Sequence, residues 1–422
     1  MFDTKKIKII VNNIIYLVSG NIASLILGFL FNIYIAKNLG ASEYGVFSTV
    51  EAFVALFGFL VFEGYQKVAI RECCKNTEKL VNIIESILGI KIVLSLLGVF
   101  CTIIASLFFN YTQTLIIYIS VFSFNLLFGS ISSMLQVVYH VNSKMKYIAY
   151  TDLIRKLIYI LSAGTCVWFK GGVKYLIIFF TISTFLDIFI NLYVIKKVFS
   201  ISFSVKNLFV YKFNIIFFKE AFVFSLLGFI GYFHRTIDIT MLSWMVLSEG
   251  VGFYSAASRL IMPLHLLGRV TKVALFPQFM EIFKTQKTIK ASHLFKISGL
   301  IAICMIPIAL FISIFSEQII FYTFGEDFLG SAEVLKYLSW MIPFGILALP
   351  FSVSMTANHH EKKMIMPNIL RSASNVILNF ILIKKYGYMG AVYSTVITYF
   401  WYHIIINFGY QYYVLKKAGN IV

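Results

Sequence analysis

The stretch GYFHRTIDIT, residues 231–240, places His234, Arg235 and Asp238 within five positions. On a helix, His234 and Asp238 form an i,i+4 pair and Arg235 and Asp238 an i,i+3 pair, so one carboxylate faces two cations and neutralises one at a time. The flanks, EAFVFSLLGFI and MLSWMVL, are apolar enough for lipid. A charge at the bilayer centre costs roughly 2.5–3.5 kcal/mol, so such groups turn toward protein or water. At 1.5 Å of rise per residue, His234 lies about 20 Å into its helix, near mid-membrane. The group is either an ion pair pinning two helices or the polar lining of an aqueous cavity.

Other runs supply further charge. Arg259, His265, Arg269 and Lys272 follow downstream, and Lys91, Glu85, Glu51, Glu63 and Asp187 lie upstream. Lys272 reads as a lysine snorkelling to the interface. Lys91 divides between cavity and snorkelling. Asn21, Ser24, Gly28 and Asn32 make one narrow stripe, which reads as a helix–helix seam. Lys91, Arg235, Arg259 and Arg269 outweigh Glu51, Asp187 and the half-neutralised Asp238, so a cavity lined by them attracts an anion. The bidentate fork of arginine suits phosphate.

The elements that must hold these residues are membrane spans. Of 422 residues, 59% are hydrophobic and 13% charged, with a net charge of +18 and a mean hydropathy of +0.86. A soluble domain carries about 25% charged residues. The basic residues fall in short clusters between apolar runs, the pattern of cytoplasmic loops and not of a nucleic-acid surface. With about 20 apolar residues needed per crossing, twelve spans are expected near 13–36, 45–65, 83–106, 114–137, 151–169, 175–195, 221–247, 252–280, 294–315, 333–357, 366–383 and 389–414. With the N-terminus inside, inner segments hold 21 of the 36 Lys and Arg, against five outside (Lys37, Lys170, Lys174, Lys384 and Lys385). The positive-inside rule then puts both termini in the cytoplasm. The five cysteines suggest no disulfide framework, and no Cys/His spacing suggests a metal site.

The longest inner connection separates two six-helix halves, residues 1–200 and 220–422, joined by 201–219. YGVFSTVEAF (44–53) and VGFYSAASRL (251–260) open spans two and eight, and KVAI (67–70) and KVAL (272–275) follow at nearly equal distances. Internal repeats of this kind are common in transporters. Pro263, Pro307, Pro343 and Pro350 are expected to break or bend their spans.

Three longer segments carry a resemblance. NIASLILGFLFNIYIAKNLGASEYGVFSTV (21–50), HRTIDITMLSWMVLSEGVGFYSAASRL (234–260) and FGEDFLGSAEVLKYLSW (324–340) resemble, in order and spacing, the O-antigen flippase group of the multidrug/oligosaccharidyl-lipid/polysaccharide exporter superfamily. The resemblance covers the whole chain. It implies an all-α integral membrane protein with two six-helix lobes around a central cationic cavity, in the manner of the multidrug exporters. The lobes would alternate between inward-open and outward-open forms. The implied substrate is an oligosaccharide on undecaprenyl diphosphate, turned from the cytoplasmic to the periplasmic leaflet of the bacterial inner membrane. A polysaccharide polymerase and chain-length machinery would act downstream, and no nucleic acid or catalytic cofactor is implied. Arg235 and Asp238 match the family's seventh-helix motif and Arg259 its eighth-helix arginine, whereas Lys91 and His234 match no motif. Coupling to a proton or sodium gradient is implied, with Asp238, Glu51 or Asp187 as carrier or charge partner.

Two rivals remain. A multidrug or cation antiporter of the same superfamily calls for an acidic cavity, against the basic excess here. A membrane polymerase or ligase needs catalytic groups on an outer loop, and the longest, near 316–332, holds Glu317, Glu326 and Asp327 without a paired His or Ser arrangement.

Overall fold

The computed structural model describes residues 4–61, 64–204, 207–208, 215–286 and 288–421. Glu63 and the side chains of His234, Arg235, His265 and Arg269 lie outside the described residues. The described chain is helical, and its one β contact is an isolated bridge between Ile289 and Ile421.

All twelve expected spans are found as helix. α1 (Thr4–Leu56) carries the first two, interrupted at Gly40 with φ 75° and ψ 171°, where the missing Cβ permits a positive φ. The second span ends at Leu56, with a 3₁₀ turn over Phe57–Val61, and α2 (Gly64–Lys75) starts anew. α3 (Leu80–Phe108), α4 (Gln113–Leu135), α5 (Val137–Val141), α6 (Lys146–Trp168) and α7 (Val173–Phe199) follow. Beyond the connection come α8 (Ile215–Met245), α9 (Ser248–Ile261), α10 (His265–Gln286) and α11 (Ala291–Ile314). Then come α12 (Ser316–Phe324), α13 (Gly330–Leu338), α14 (Met341–Leu347), α15 (Leu349–Ala357), α16 (Ile365–Tyr386) and α17 (Tyr388–Trp401). α17 runs through a π-helical stretch, Tyr402–Tyr410, into α18 (Gln411–Lys417).

Eight stretches among the described residues are long and apolar enough to cross a membrane, one of them Ile22–Val61, which holds two spans. α6 is more polar because Asp152, Arg155 and Lys156 share its first half. The prolines act unequally. Pro263 sits in a 3₁₀ turn, Met262–Leu264, that parts α9 from α10. Pro343 and Pro350 lie in the first turns of α14 and α15, where a missing N–H costs little. Pro307 is accommodated inside α11, which stays continuous.

The chain forms two compact units, Met1–Leu39 with Val46–Thr236, and Gly40–Gly45 with Ile237–Val422. The change of unit beyond the connection falls within α8, between Thr236 and Ile237.

In the first unit, Tyr65, Val68, Ala69 and Cys73 form one buried stripe of α2, packed with Leu80, Ile84 and Ile87 of α3 and with Met134, Val138 and Tyr139. On the other side of α2, Arg71 binds the Glu220 carboxylate and donates to Glu72 at 3.0 Å, while Lys75 reaches Glu72 at 3.2 Å. Desolvation pushes the Glu72 carboxyl up, but the hydrogen bonds from Lys75 and Arg71 outweigh it and hold it below its usual range. Burial raises the Cys73 thiol to about 12, helped by Cys74 and Glu72.

In the second unit, the repeated segments meet. A Cβ on Gly45 would fall on the Ser248 carbonyl oxygen, and one on Gly252 would fall on the Ala41 carbonyl oxygen. The hydroxyls of Ser42 and Ser248 lie 2.9 Å apart beside this crossing. Gly45 and Gly252 occupy matching places in the two repeats, so the contact is reciprocal, each glycine receiving the backbone four residues before the other. Small residues allow such close approach of helices in lipid. Nearby, the Tyr44 ring meets Phe328 edge-on at 5.9 Å. A separate core joins Phe279, Leu294, Phe351, Val353 and Leu415.

Candidate functional site

A hydrogen-bonded polar cluster surrounds Asp238. Asp238 is 5% exposed on α8, and its carboxylate is held by three neutral donors. Tyr254 Oη on α9 donates to Oδ2 at 2.8 Å, Thr395 Oγ1 on α17 donates to the same oxygen at 2.9 Å, and Asn379 Nδ2 on α16 donates to Oδ1 at 2.6 Å. Asn379 also donates to Asn375 Oδ1 at 3.2 Å, one turn back on α16, and Ser394 Oγ donates to the Asn375 carbonyl at 3.1 Å. Four helices thus converge on one carboxylate. Spacing on α8 alone pairs Asp238 with Arg235. The described partners of the carboxylate are hydroxyls and an amide from α9, α16 and α17, and no described cation stands within ion-pair distance of it. Asn375, Asn379, Tyr254 and Thr395 were missed by the sequence reading. Their one legible signal is the i,i+4 asparagine pair inside an otherwise apolar span.

The first unit has its own buried carboxylate. Asp187 on α7 is 3% exposed and accepts a hydrogen bond from Ser132 on α4. Asn191, one turn along α7, donates to Ser132 Oγ at 3.1 Å and to the Asp187 carbonyl at 2.8 Å. Asp152 on α6 accepts from Gln136 at 3.2 Å. Lys91 is 1% exposed and donates to Ser133 Oγ at 3.2 Å, so it is packed in the α3–α4 seam and a substrate reaches it only if that seam opens. Glu51 is half-buried on α1.

Several described cations within the spans rest on aromatic rings and small polar groups. Arg259 lies over the Tyr44 ring, 5.9 Å from its centroid. Arg371 on α16 lies over Tyr399 and Tyr402 at 4.5 and 4.8 Å. Such stacking occupies the guanidinium faces and leaves the in-plane donors for other partners. Tyr402 Oη in turn donates to Asn368 at 2.8 Å. Lys156 donates to the Ser24 carbonyl and, at 2.9 Å, to Ser24 Oγ. It passes Gly28, where a Cβ would come within 2.8 Å of the ammonium. The stripe read as a packing seam therefore includes a lysine from α6. Lys272 is exposed, in keeping with snorkelling.

Comparison with known proteins bears on this arrangement. Residues 10–283 match the sequence profile of a family described as Polysaccharide biosynthesis protein. A curated relative, the probable low-salt glycan biosynthesis flippase Agl15 of Haloferax volcanii, is 23% identical over 170 residues, which cover 40% of this chain and 36% of that protein. Among solved structures, the lipid II flippase MurJ in an inward closed conformation aligns over 97% of this chain and 88% of its own, with a TM-score of 0.74 at 18% identity. An inward-facing multidrug resistance MATE family transporter of the MOP superfamily aligns over 94% and 95%, with a TM-score of 0.70 at 13% identity. At these identities the structural likeness shows the fold.

Proposed function

We propose that this chain, which belongs to the polysaccharide biosynthesis protein family, is a flippase for lipid-linked oligosaccharide. It would turn an undecaprenyl-diphosphate-linked repeat unit of O-antigen or a related surface polysaccharide from the cytoplasmic to the periplasmic leaflet by alternating access. On this reading it resides in the bacterial inner membrane with both termini inside, performs no covalent chemistry, and hands its product to a polymerase and chain-length machinery.

The observation that carries the reading is how charge is spent inside the spans. The described ion pairs join Arg71, Glu72, Lys75 and Glu220, outside the spans. The hydrogen bonds that Asp187 and Asp238 accept come from neutral groups of their own unit. No described arginine bonds either carboxylate, and arginine within a span suits an anion such as a diphosphate. Arg235, Arg259 and Arg269, with His234, are the substrate-facing candidates, and Lys91 joins them only if the α3–α4 seam opens.

The same arrangement supports Asp238 as the residue that carries a coupling ion. The hydroxyls of Tyr254 and Thr395 can rotate to offer lone pairs, and Asn379 Oδ1 is a buried acceptor without a hydrogen-bond partner among the described residues. A proton or a sodium ion would displace these donors from the carboxylate. Glu51 stands as a second candidate from its position on α1.

The test locates lipid-linked glycan in cells lacking the chain, by its accessibility from the periplasmic side. Completed repeat units trapped on the cytoplasmic leaflet are expected. Single units accumulating on the periplasmic leaflet would mean that transport is intact and that the protein acts later, as a polymerase or ligase.

A further inference from the structure

We propose that the seam between α16 and α17 holds a file of ordered water leading from Asp238 to the lysine-rich end of the second unit, and that Arg371 bars this file to cations. Other faces of the two helices expose Ile377, Ile381, Ile397 and Ile405, but the seam is polar along its length. At one end Asn379 and Thr395 bond Asp238. Ser394 then bonds the Asn375 carbonyl, Arg371 lies over Tyr399 and Tyr402, and Tyr402 Oη donates to Asn368. Asn379 and Asn368 are about 16 Å apart by helical rise. Beyond them the π-helical stretch of α17 carries His403 and Asn407, and α18 opens on Gln411. Lys362, Lys363, Lys416 and Lys417 mark this end.

The hydrogen bonds of the seam leave acceptors over. Gln411 Nε2 donates to Asn407 Oδ1 at 2.9 Å, and Asn407 Nδ2 donates to His403 Nδ1 at 2.8 Å. The ring proton of His403 therefore sits on Nε2 and the imidazole is neutral. Asn379 Oδ1, Thr398 Oγ1 and Gln411 Oε1 are buried and have no hydrogen-bond partner among the described residues. Asn379 and Thr398 are fully buried and Gln411 is 1% exposed. Buried polar atoms of this kind are nearly always satisfied, by protein or by ordered water. Here they fall at both ends and in the middle of one seam, which suits a row of waters better than one compact ligand. A π-helical stretch is itself frequent at functional positions.

A hydrated seam through lipid is a path for ions as well as for water. Between their end lysines, α16 and α17 carry one Lys, Arg, Asp or Glu, and it is Arg371. A guanidinium stays charged, and the rings of Tyr399 and Tyr402 fix this one 4.5 and 4.8 Å from their centroids. Tyr399 also acts electrostatically on Tyr254, a donor to Asp238. Arg371 thus stands between the carboxylate and the lysine-rich end. A fixed arginine in a narrow polar pore repels protons and cations while water passes. The use of this barrier, to keep an ion on Asp238 from leaking away, rests on the flippase reading; the water and the barrier do not.

The experiment uses the full-length protein. In nanodiscs, hydroxyl radicals made by X-ray radiolysis oxidise side chains beside ordered water, and peptide mass spectrometry reads the rate at each residue. Tyr402 and His403, 4% and 8% exposed, should be oxidised faster than Phe351 and Met355, 0% and 1% exposed in the apolar core of the same unit, even though methionine oxidises readily. In liposomes, sodium and proton fluxes down an imposed gradient are compared among the parent, Arg371→Gln and Arg371→Lys. Arg371→Gln should raise flux about ten- to a hundredfold, the effect of removing a unit charge about 6 Å from the path at an effective dielectric of about 20–40. Arg371→Lys should stay near the parent. Tyr402 and His403 oxidised no faster than the two core residues would remove the water file, and this comparison needs no variant to fold. Flux unchanged in Arg371→Gln, or raised as much in Arg371→Lys, would show that Arg371 is packing and not a barrier. Either failure would leave the location of lipid-linked glycan in deletion cells, and hence the flippase reading, untouched.

Discussion

Tyr254→Phe removes a single oxygen from the Asp238 cluster and nothing of its shape. The hydroxyl donates at 2.8 Å to Asp238 Oδ2 and touches Thr395 Oγ1 at 3.3 Å. Asp238 keeps Asn379 and Thr395 but loses one donor of three, and at 5% exposure no bulk water replaces it. A hydrogen bond to an ionised group contributes about 1.5–3 kcal/mol and a neutral one about 0.5–1.5 kcal/mol. For a unit of this size, 1 kcal/mol moves the melting temperature by about 2–4 °C. An ionised Asp238 therefore predicts a fall of about 3–12 °C for Tyr254→Phe in nanodiscs without sodium. The control is a double-mutant cycle. In Asp238→Asn the partner is neutral, and the same Tyr254→Phe step should cost about half as much or less. Equal costs in the two backgrounds, or no cost in either, would show that Tyr254 is ordinary packing and that the carboxylate is not held as described.

Arg235→Ala is expected to abolish export at normal membrane levels and Arg235→Lys to keep part of it; full export by the alanine variant, scored by periplasmic accessibility of the glycan, would remove Arg235 from the substrate path. Gly252→Ala should destabilise by about 3 kcal/mol, at or beyond the usual cost of overpacking, because its Cβ would lie 2.8 Å from the Ala41 carbonyl carbon, a backbone atom that no rotamer can move. Gly299→Ala, with nothing within 4 Å of its Cβ, should be neutral or stabilising by about 0.5–1 kcal/mol, and detergent-induced unfolding ranks the two. A membrane-impermeant maleimide applied from the cytoplasmic side at pH 8 should label exposed Cys74 rapidly. It should spare Cys73, whose thiol burial raises to about 12, when each is the sole cysteine present. Glu72 has a folded-state carboxyl held low, so its contribution to stability is whole above the unfolded value of about 4.3 and is lost as pH falls through the lower folded value; acid titration of Glu72→Gln beside the parent should show a smaller loss of stability below about pH 4.

What was legible in the sequence followed from local rules. Span positions came from apolar run length, and the break at Gly40 falls where a short outer turn was expected. Asp238 stood out because charge in lipid is costly. Its partners did not, because Tyr254, Asn379 and Thr395 are uncharged and sit 16, 141 and 157 residues away. In a single sequence an asparagine in a span reads the same whether it lines a seam or holds a carboxylate. Lys91 and Lys156 show the reverse failure. Both are charges whose depth is readable from the helix start, yet the groups they bond, Ser133 and the Ser24 carbonyl, lie on other helices. Pro307 reads as a break or a bend, and α11 runs through it without a break.

The reciprocal glycine crossing also bears on the order in which the protein can be made. Gly40–Gly45 belong with a unit that otherwise begins at Ile237. Their backbone is covered only once Ser248 and Gly252 have left the ribosome, about 200 residues after Gly45. At elongation rates of about 5–20 residues per second, that interval is about 10–40 s. Throughout it the turn between the first two spans lacks the surface it is shaped to meet, and lipid or a membrane chaperone must cover it. The nascent chain is open to mispairing and proteolysis at this turn during that interval, and truncation before residue 248 should leave that exposure permanent.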